Sequence, residues 1–372
     1  MKNQLIAISA LIGTIIGAGF LGIPYVVMLS GFPIGLLHLL IIGIIITLTM
    51  LYLGEIALRT SSNHQLSGYA EKYLGKKGKI IMIIAVAFGL YTAILAYLIG
   101  EGQSLSFLIF NNLEHSFTIG IIFWLIMSLL CYFGIKALEE GDPLGVAAIF
   151  IIVILIAILF TSKVDISNLS YTNTKYFFAP FGVVLFAYLA FSVVPEIKRI
   201  LNKEKKQMKS TIIIGHIIAF LVYVLFTVIV LGFKGSSTPQ LSTLALGKPF
   251  IFLGMLTMFT SYLSLSIILM DNLIYDFKIS KFKSWLLTTL IPLILFIILT
   301  LTNSTSFTLV LGVGGVLSGG LMAILILFMI KSAKINGDRK PEYEMPYSSV
   351  LTWILIIIFI LGATLEIINA IK

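Results

Sequence analysis

Charge is what this chain lacks. Only 11% of its 372 residues are Asp, Glu, Lys or Arg, against about a quarter in an ordinary soluble domain. At the same time 59% are hydrophobic and the mean hydropathy is +1.09. No water-soluble core can hide that much apolar surface, so the protein is built for a bilayer. Cysteine is scarcer still. Cys131 stands alone, which excludes an intramolecular disulfide and leaves the redox compartment unreadable. No carboxylates, histidines or nucleophile with a base gather at a common depth, so an enzyme would have no reagents. A cleavable leader is not expected, because the first apolar run is too long and has no small-residue cleavage site. The net charge of +9 would suit nucleic acid, but the basic residues sit in short stretches between apolar runs. That pattern sets membrane orientation and gives no nucleic-acid partner.

What the chain does have is length of apolar sequence. Runs of about twenty residues, each enough to cross a core of about 30 Å, are predicted near 4–29, 32–58, 79–110, 117–135, 143–161, 179–200, 210–232, 248–276, 284–302, 305–330 and 349–371. The expected fold class is therefore all-α, a polytopic membrane protein of about eleven helices. Of the 25 basic residues, all but Lys163, Lys175, Lys234, Lys248 and Lys372 fall on one side when the N-terminus is cytoplasmic. The expected location is the cell membrane, multi-pass, with the C-terminus outside. Eleven spans divide into five, five and one. The expected units are 1–161, an inverted counterpart at 179–330, and an extra helix at 349–371. Residues 67–79 are expected to form a short interfacial helix with a basic face.

Two spans are interrupted. The first reads Gly13-Thr14-Ile15-Ile16-Gly17-Ala18-Gly19-Phe20-Leu21-Gly22-Ile23-Pro24, and the sixth carries Pro195 after a long apolar run. Irregular backbone at bilayer depth survives only where it is buried in protein or lines a cavity. Paired interruptions in matching halves are how secondary transporters build a midplane substrate site, so the pattern predicts a carrier. The alternative for Gly13, Gly17 and Gly22 is close helix packing. Metal carriage is disfavoured, since neither break holds an Asp with a Met or His, and no resident metal is expected.

The stretches 13–25, 182–196 (with Phe186-Ala187-Tyr188 and Pro195-Glu196) and Thr260-Ser261-Tyr262-Leu263 through Asp271 resemble the amino acid/auxin permeases. The similarity is strongest to the aromatic amino acid permease-like branch of the amino acid–polyamine–organocation superfamily. The resemblance covers spans one to ten. It implies the LeuT fold and alternating-access transport of a neutral, possibly aromatic, L-amino acid, with spans one, two, six and seven rocking against three, four, eight and nine. Another small solute (a nucleobase, polyamine or organic cation) or amino acid exchange is the alternative. The chain departs from its relatives at Ala190, where they usually have glycine, and at Ser264 after Leu263; both bear on pocket size.

A zwitterion's carboxylate needs N–H donors at a positive helix end, which Gly17, Ala18 and Gly19 can present, and its ammonium needs the carbonyls of the first half-helices. Phe20, Phe186, Ala187, Tyr188, Ala190, Phe191 and Tyr262 are the expected walls. By resemblance to sodium-coupled relatives, the carbonyls of Gly13, Ile16 and Thr257 and the hydroxyls of Thr260 and Ser261 form an oxygen shell. The alternative for these hydroxyls is bonding back to the preceding helical turn. Glu101 resembles an acidic position of the branch and is a candidate for proton coupling. Asp271 and Glu196 are candidate gate residues. No cofactor is expected beyond a coupling ion, sodium or proton. The amino acid and the lipid are the expected partners, and oligomeric state is not readable. Glu55 and Arg59 read as a local i, i+4 pair. His38 and His216 receive no role, with bonding to a neighbouring helix the default.

Overall fold

The computed structural model describes residues 2–133, 142–275 and 277–371, and these residues contain helices and no strand. Lys136 lies outside them. Eleven crossings follow one another. Span one is α1 (Lys2–Ile15), a 3-10 segment (Ala18–Gly22) and α2 (Ile23–Ser30); spans two to five are α3 (Phe32–Arg59), α4 (Leu66–Phe110), α5 (Ser116–Phe133) and α6 (Asp142–Phe160). Span six is α7 (Ala179–Tyr188) and α8 (Val194–Leu201), and span seven is α9 (Met208–Lys234). Then come α10 (Lys248–Tyr275), α11 (Lys281–Leu301), span ten as α12 (Phe307–Gly314) and α13 (Gly320–Asn336), and span eleven as α14 (Ser349–Ile371).

The helical stretch Ala179–Ser237 is 59 residues long. Drawn straight it would extend about 90 Å, three times the hydrocarbon core, so it must fold back. It does so at Asn202, whose φ of 39° and ψ of −97° end α8.

The prolines next to the two interruptions begin helices. Pro24 and Pro195 occupy the first turns of α2 and α8, where a missing N–H costs nothing. The interruptions lie upstream. Gly17 is extended (φ −83°, ψ −165°), and the axes of Lys2–Ile15 and Gly19–Ser30 differ by 43°. In span six Leu189 (ψ 116°) and Ala190 (φ −147°, ψ 28°) leave helical geometry before a 3-10 turn at Phe191–Val193.

One boundary differs from expectation. The interfacial piece of α4 ends at Gly75, whose φ of 74° and ψ of −170° turn the chain into span three. Glycine is suited to that left-handed φ. Lys76, Lys77 and Lys79 therefore start the span and do not give the interfacial helix a basic face. Lys79 reaches back across the bend to Glu71 at 2.8 Å.

At the face where α1 begins, the 337–348 segment straps the end of span two. Glu55 is wholly buried and is more than a local partner of Arg59. Its Oε1 accepts from Arg59 Nε at 2.8 Å and from Lys334 Nζ at 2.7 Å, and its Oε2 from the Met345 N–H at 2.6 Å. Tyr343 Oη donates to the Leu51 carbonyl at 2.7 Å, and Tyr52 Oη to that of Pro346 at 3.0 Å. Burial, and then the Glu55 charge, hold the Tyr343 phenol well above its ordinary range. Asp338 pairs with Lys72 and accepts from the Ser61 N–H, and these bonds hold its carboxyl below the usual carboxylate range. From α8, Lys198 donates to the carbonyls of Thr60 (2.8 Å) and Ser62 (3.0 Å).

Removing the Glu55 carboxylate leaves Lys334 and the Met345 N–H without their acceptor and leaves Arg59 to Glu344. Glu55→Ala is expected to destabilise the purified protein by about 2–3 kcal/mol, read as a lowered unfolding temperature in detergent, with Glu55→Gln in between. An unchanged unfolding temperature for Glu55→Ala would show that the strap holds without this node.

Candidate functional site

A helix that stops inside a membrane strands carbonyls at its C-terminal end and N–H groups at the start of the next segment. Here the stranded ends of spans one and six meet. Tyr223, on α9, is wholly buried and its hydroxyl lies 2.8 Å from the Ile15 carbonyl and 2.7 Å from the Ala187 carbonyl. Ile15 is the last residue of α1, and Ala187 is in the last turn of α7. One phenol thus ties the two terminations together.

Beyond the break, the second half of span one lies directly on span six. A Cβ at Gly19 would stand 3.0 Å from Phe186 Cδ1 and 3.3 Å from the Ala187 Cα. Glycine allows this approach, because a side chain there would displace backbone. Phe186 also faces span ten, its Cδ2 3.4 Å from where a Gly314 Cβ would be. From span three, Tyr97 Oη comes within 3.6 Å of the Gly17 Cβ position. Gly17, Gly19, Phe186 and Ala187 thus lie in one neighbourhood. Gly22 is a packing glycine, wedged between Thr308, Leu311 and Val183 at 3.2–3.3 Å. Ala18 continues the 3-10 segment between Gly17 and Gly19.

The aromatic candidates divide. Phe20 stacks on Tyr223 (6.2 Å between centroids) and meets Phe226 edge-on at 4.8 Å. Tyr188 is buried away from solvent, packs on Tyr223 at 5.2 Å and donates to the Leu39 carbonyl at 3.2 Å. Ala190 and Phe191 are buried in the span-six break itself. Tyr262 turns its ring toward span four, against Phe123 at 5.3 Å.

The threonines of the expected oxygen shell turn their hydroxyls to their own helix. Thr257 Oγ1 donates to the Gly254 carbonyl at 2.7 Å, and Thr260 Oγ1 to those of Leu256 (3.0 Å) and Thr257 (3.1 Å). Of span one it is the 3-10 segment, not α1 with Gly13 and Ile15, that packs on α10; Ile16 follows α1, its N–H bonded to the Ile12 carbonyl at 2.7 Å. Thr257 and Phe20 share the lining of a void of about 20 Å³, room for roughly one water. Ser261, next along α10, is half-buried.

Glu101 is 1% exposed on α4 and faces the Phe259 backbone of α10. Its Oε1, the Tyr262 hydroxyl and those of Ser104 and Ser266 are buried with no hydrogen-bond partner among the described residues. Unpaired buried polar atoms are uncommon and call for an explanation. Asp271 is exposed near the far end of α10. Glu196 is exposed too and lies 3.3 Å from Arg199, a weak surface pair. Each intramembrane histidine bonds back along its own helix, contrary to the default expected of them: His38 to Ile34 and His216 to Ile212, both at 2.9 Å.

Two contributors were missed by sequence reasoning. Tyr223 carried no signal, since its role depends on where α9 packs. Span ten did carry one: Gly312, Gly314, Gly315, Gly319 and Gly320 crowd into nine residues. Gly315–Gly319 forms a π-helical turn, an irregularity frequent at functional sites. A Cβ on Gly319 would meet Leu189 at the span-six break.

Eleven crossings, two of them interrupted where they touch, define a multi-pass membrane protein of the LeuT fold. The solved structure of MhsT in complex with L-phenylalanine superposes with a TM-score of 0.68 over 98% of each chain, at 15% sequence identity. The tryptophan/tyrosine permease family model matches residues 1–367, and the chain belongs to that family. The chain is 24% identical over 216 residues to tyrosine-specific transport system 1 of Haemophilus influenzae, covering 58% of this chain and 54% of that protein. It is 27% identical over 233 residues to glutamine transporter 2 of Aliivibrio fischeri, covering 60% of each. The match thus spans less than two thirds of either relative.

Tyr223→Phe removes the donor shared by Ile15 and Ala187. Two buried carbonyls then lose a partner, at a cost of about 1–3 kcal/mol. Amide exchange over residues 15–19 and 187–191 is expected to accelerate while exchange within α3 stays unchanged. Equal acceleration everywhere, or none, would remove Tyr223 from this role.

Proposed function

We propose that the protein is a secondary active amino acid transporter, carrying a neutral L-amino acid, aromatic or large aliphatic, by alternating access. The observation that carries this reading is the meeting of two helix terminations at Tyr223 with Gly17 and Gly19 beside them. A zwitterion has one anionic and one cationic end, and this junction offers one of each complement. The N–H groups at the start of the 3-10 segment suit the carboxylate, and the carbonyls ending α1 and α7 suit the ammonium. Phe186, set between Gly19 and Gly314, is the wall that a side chain would meet. Tyr223 occupies the carbonyls in this conformation, so ammonium binding exchanges one donor for another.

The names of two relatives, one a tyrosine-specific transport system and one a glutamine transporter, support an amino acid as cargo, and we place the chain in the wider amino acid–polyamine–organocation superfamily. We assign the carbonyls of Gly13, Ile16 and Thr257 and the hydroxyls of Thr260 and Ser261 to a sodium site that forms when α1 closes on α10 and the Thr260 hydroxyl turns from its own helix. Glu101 is the alternative coupling group, by protonation. Asp271 and Glu196 belong to the inner end of the pathway. The proposed topology has the N-terminus in the cytoplasm and the C-terminus outside, with 1–161 and 179–330 as the two repeats.

Purified protein in proteoliposomes, offered each proteinogenic amino acid with sodium and pH gradients imposed separately, tests the reading. Saturable uptake of a large neutral amino acid under one of the gradients is expected, and failure with every amino acid under both would end it. Gly17→Leu and Gly19→Val are expected to abolish uptake, at least tenfold or about 1.4 kcal/mol of binding, with membrane expression intact. Normal uptake in both would move the carboxylate site elsewhere.

A further inference from the structure

Span eleven carries a single ionisable residue among α14's described residues, Glu366, and the fold gives it a fitted place. A Cβ on Gly182 would stand 2.8 Å from the Glu366 Cδ and 2.7 Å from the Gly312 carbonyl oxygen, while a Cβ on Gly312 would collide with Glu366 Oε1. The carboxyl faces the Gly182 backbone, near the start of α7, where the helix dipole favours negative charge. One turn before, Gly362 lies so close to the Phe181 ring that a Cβ there would overlap it. Span eleven is thus keyed into the outer parts of spans six and ten by two tight contacts and is not a loosely added helix.

The charges that face this carboxyl are quickly named. On the elements packed against α14, α7 and α12 carry no Asp, Glu, Lys, Arg or His, nor does the π-helical turn Gly315–Gly319. On α13 the cations are Lys331 and Lys334, at its far end, and Lys334 is bound to Glu55. Lys175, just before α7, lies over the Tyr176 ring. What faces Glu366 is the Gly182 N–H and the Gly312 carbonyl. A carboxylate can use only the first, and a carboxylic acid can also donate to the second.

We propose that Glu366 is a proton-binding site whose charge state sets how the first half-helix of span six seats on span ten, giving transport a pH dependence through span eleven. The carboxylate takes one proton from water and returns it there. Glu366 is five residues from the end of α14, about 7.5 Å of helical rise from that face. The ionised form addresses Gly182 alone, and the protonated form adds a donor toward the Gly312 carbonyl, so that one carboxyl then ties span six to span ten. Intramembrane carboxyls are costly and generally functional. The transport consequence rests on the amino acid carrier reading, whereas the protonation itself does not.

Infrared difference spectroscopy of the full-length protein across the near-neutral pH range reads the protonation without transport. A protonated-carboxyl band that titrates in the wild type and is missing in Glu366→Gln is expected, with the band shifted but present in Glu366→Asp. Identical titrations in wild type and both variants would overturn the proposal. In proteoliposomes the pH step in uptake is expected to be lost in Glu366→Gln, while uptake at the acidic end is retained. An unchanged pH profile in that variant, with the wild type active, would overturn the coupling to span six. A wild type inactive toward every amino acid overturns the carrier reading instead, and the infrared titration still decides the proton site.

Discussion

The structure depends on one constraint: a main-chain carbonyl or N–H at bilayer depth must find a partner inside the protein. Spans one and six both stop midway, and each stop strands groups that lipid cannot solvate. Tyr223 meets the carbonyls of Ile15 and Ala187 from a third helix. Its placement orders the neighbourhood. Phe20 stacks on its ring, Tyr188 packs against its edge, and Gly19 brings the 3-10 segment onto Phe186. Terminations met in this way are also groups that a polar guest can address, because a ligand need only replace one hydrogen bond by another and not create a desolvated charge.

Much of this was legible in the sequence because it concerns local backbone physics. Apolar run length predicts spans to within a few residues, and clustered glycines marked the break at 16–18. Proline was a less direct sign. Pro24 and Pro195 start helices, so each marks the resumption of a span, and the break itself lies several residues upstream. The bend at Gly75 was placed a few residues late for the same sort of reason: the basic stretch 76–79 suits a membrane surface, yet the one position able to take a left-handed φ decides where the chain turns.

Contacts between distant segments were not legible. Glu55 and Arg59 read as an i, i+4 pair, but Lys334 from the end of span ten and the Met345 N–H from beyond it reach the same carboxylate. Nothing local signals a partner 279 residues away. Thr257 and Thr260 show the opposite lesson. A hydroxyl in an apolar helix has its own carbonyls within reach, so a ligand shell inferred from residue type competes with a bond that is always available. Span ten stands between these cases. Its five glycines were a visible signal, and their meaning, a π-helical turn against Leu189 and a slot for Glu366, required knowing which spans face it.

The two ends of the bundle differ in how firmly they are held, and this bears on motion. Where α1 begins, span two is bound by a buried carboxylate with two cations, by Lys198 on two carbonyls and by the tyrosines of the 337–348 strap. Charged hydrogen bonds of this kind are worth about 1.5–3 kcal/mol each, so sliding span two past the strap means breaking several together. At the midplane the backbone is already out of helical register at Gly17 and at Leu189 and Ala190, and a change of angle there puts at risk only single backbone bonds such as that from the Leu189 N–H to the Phe186 carbonyl. The cheap movements are therefore rotations of the half-helices about their breaks, with α8 restrained through Lys198 and α7 touched by the Glu366 carboxyl at Gly182. A molecule built this way bends most easily by swinging its half-helices against a frame whose far end stays strapped, which places the energetic control of such a movement at the break residues and at whatever touches α7 from outside.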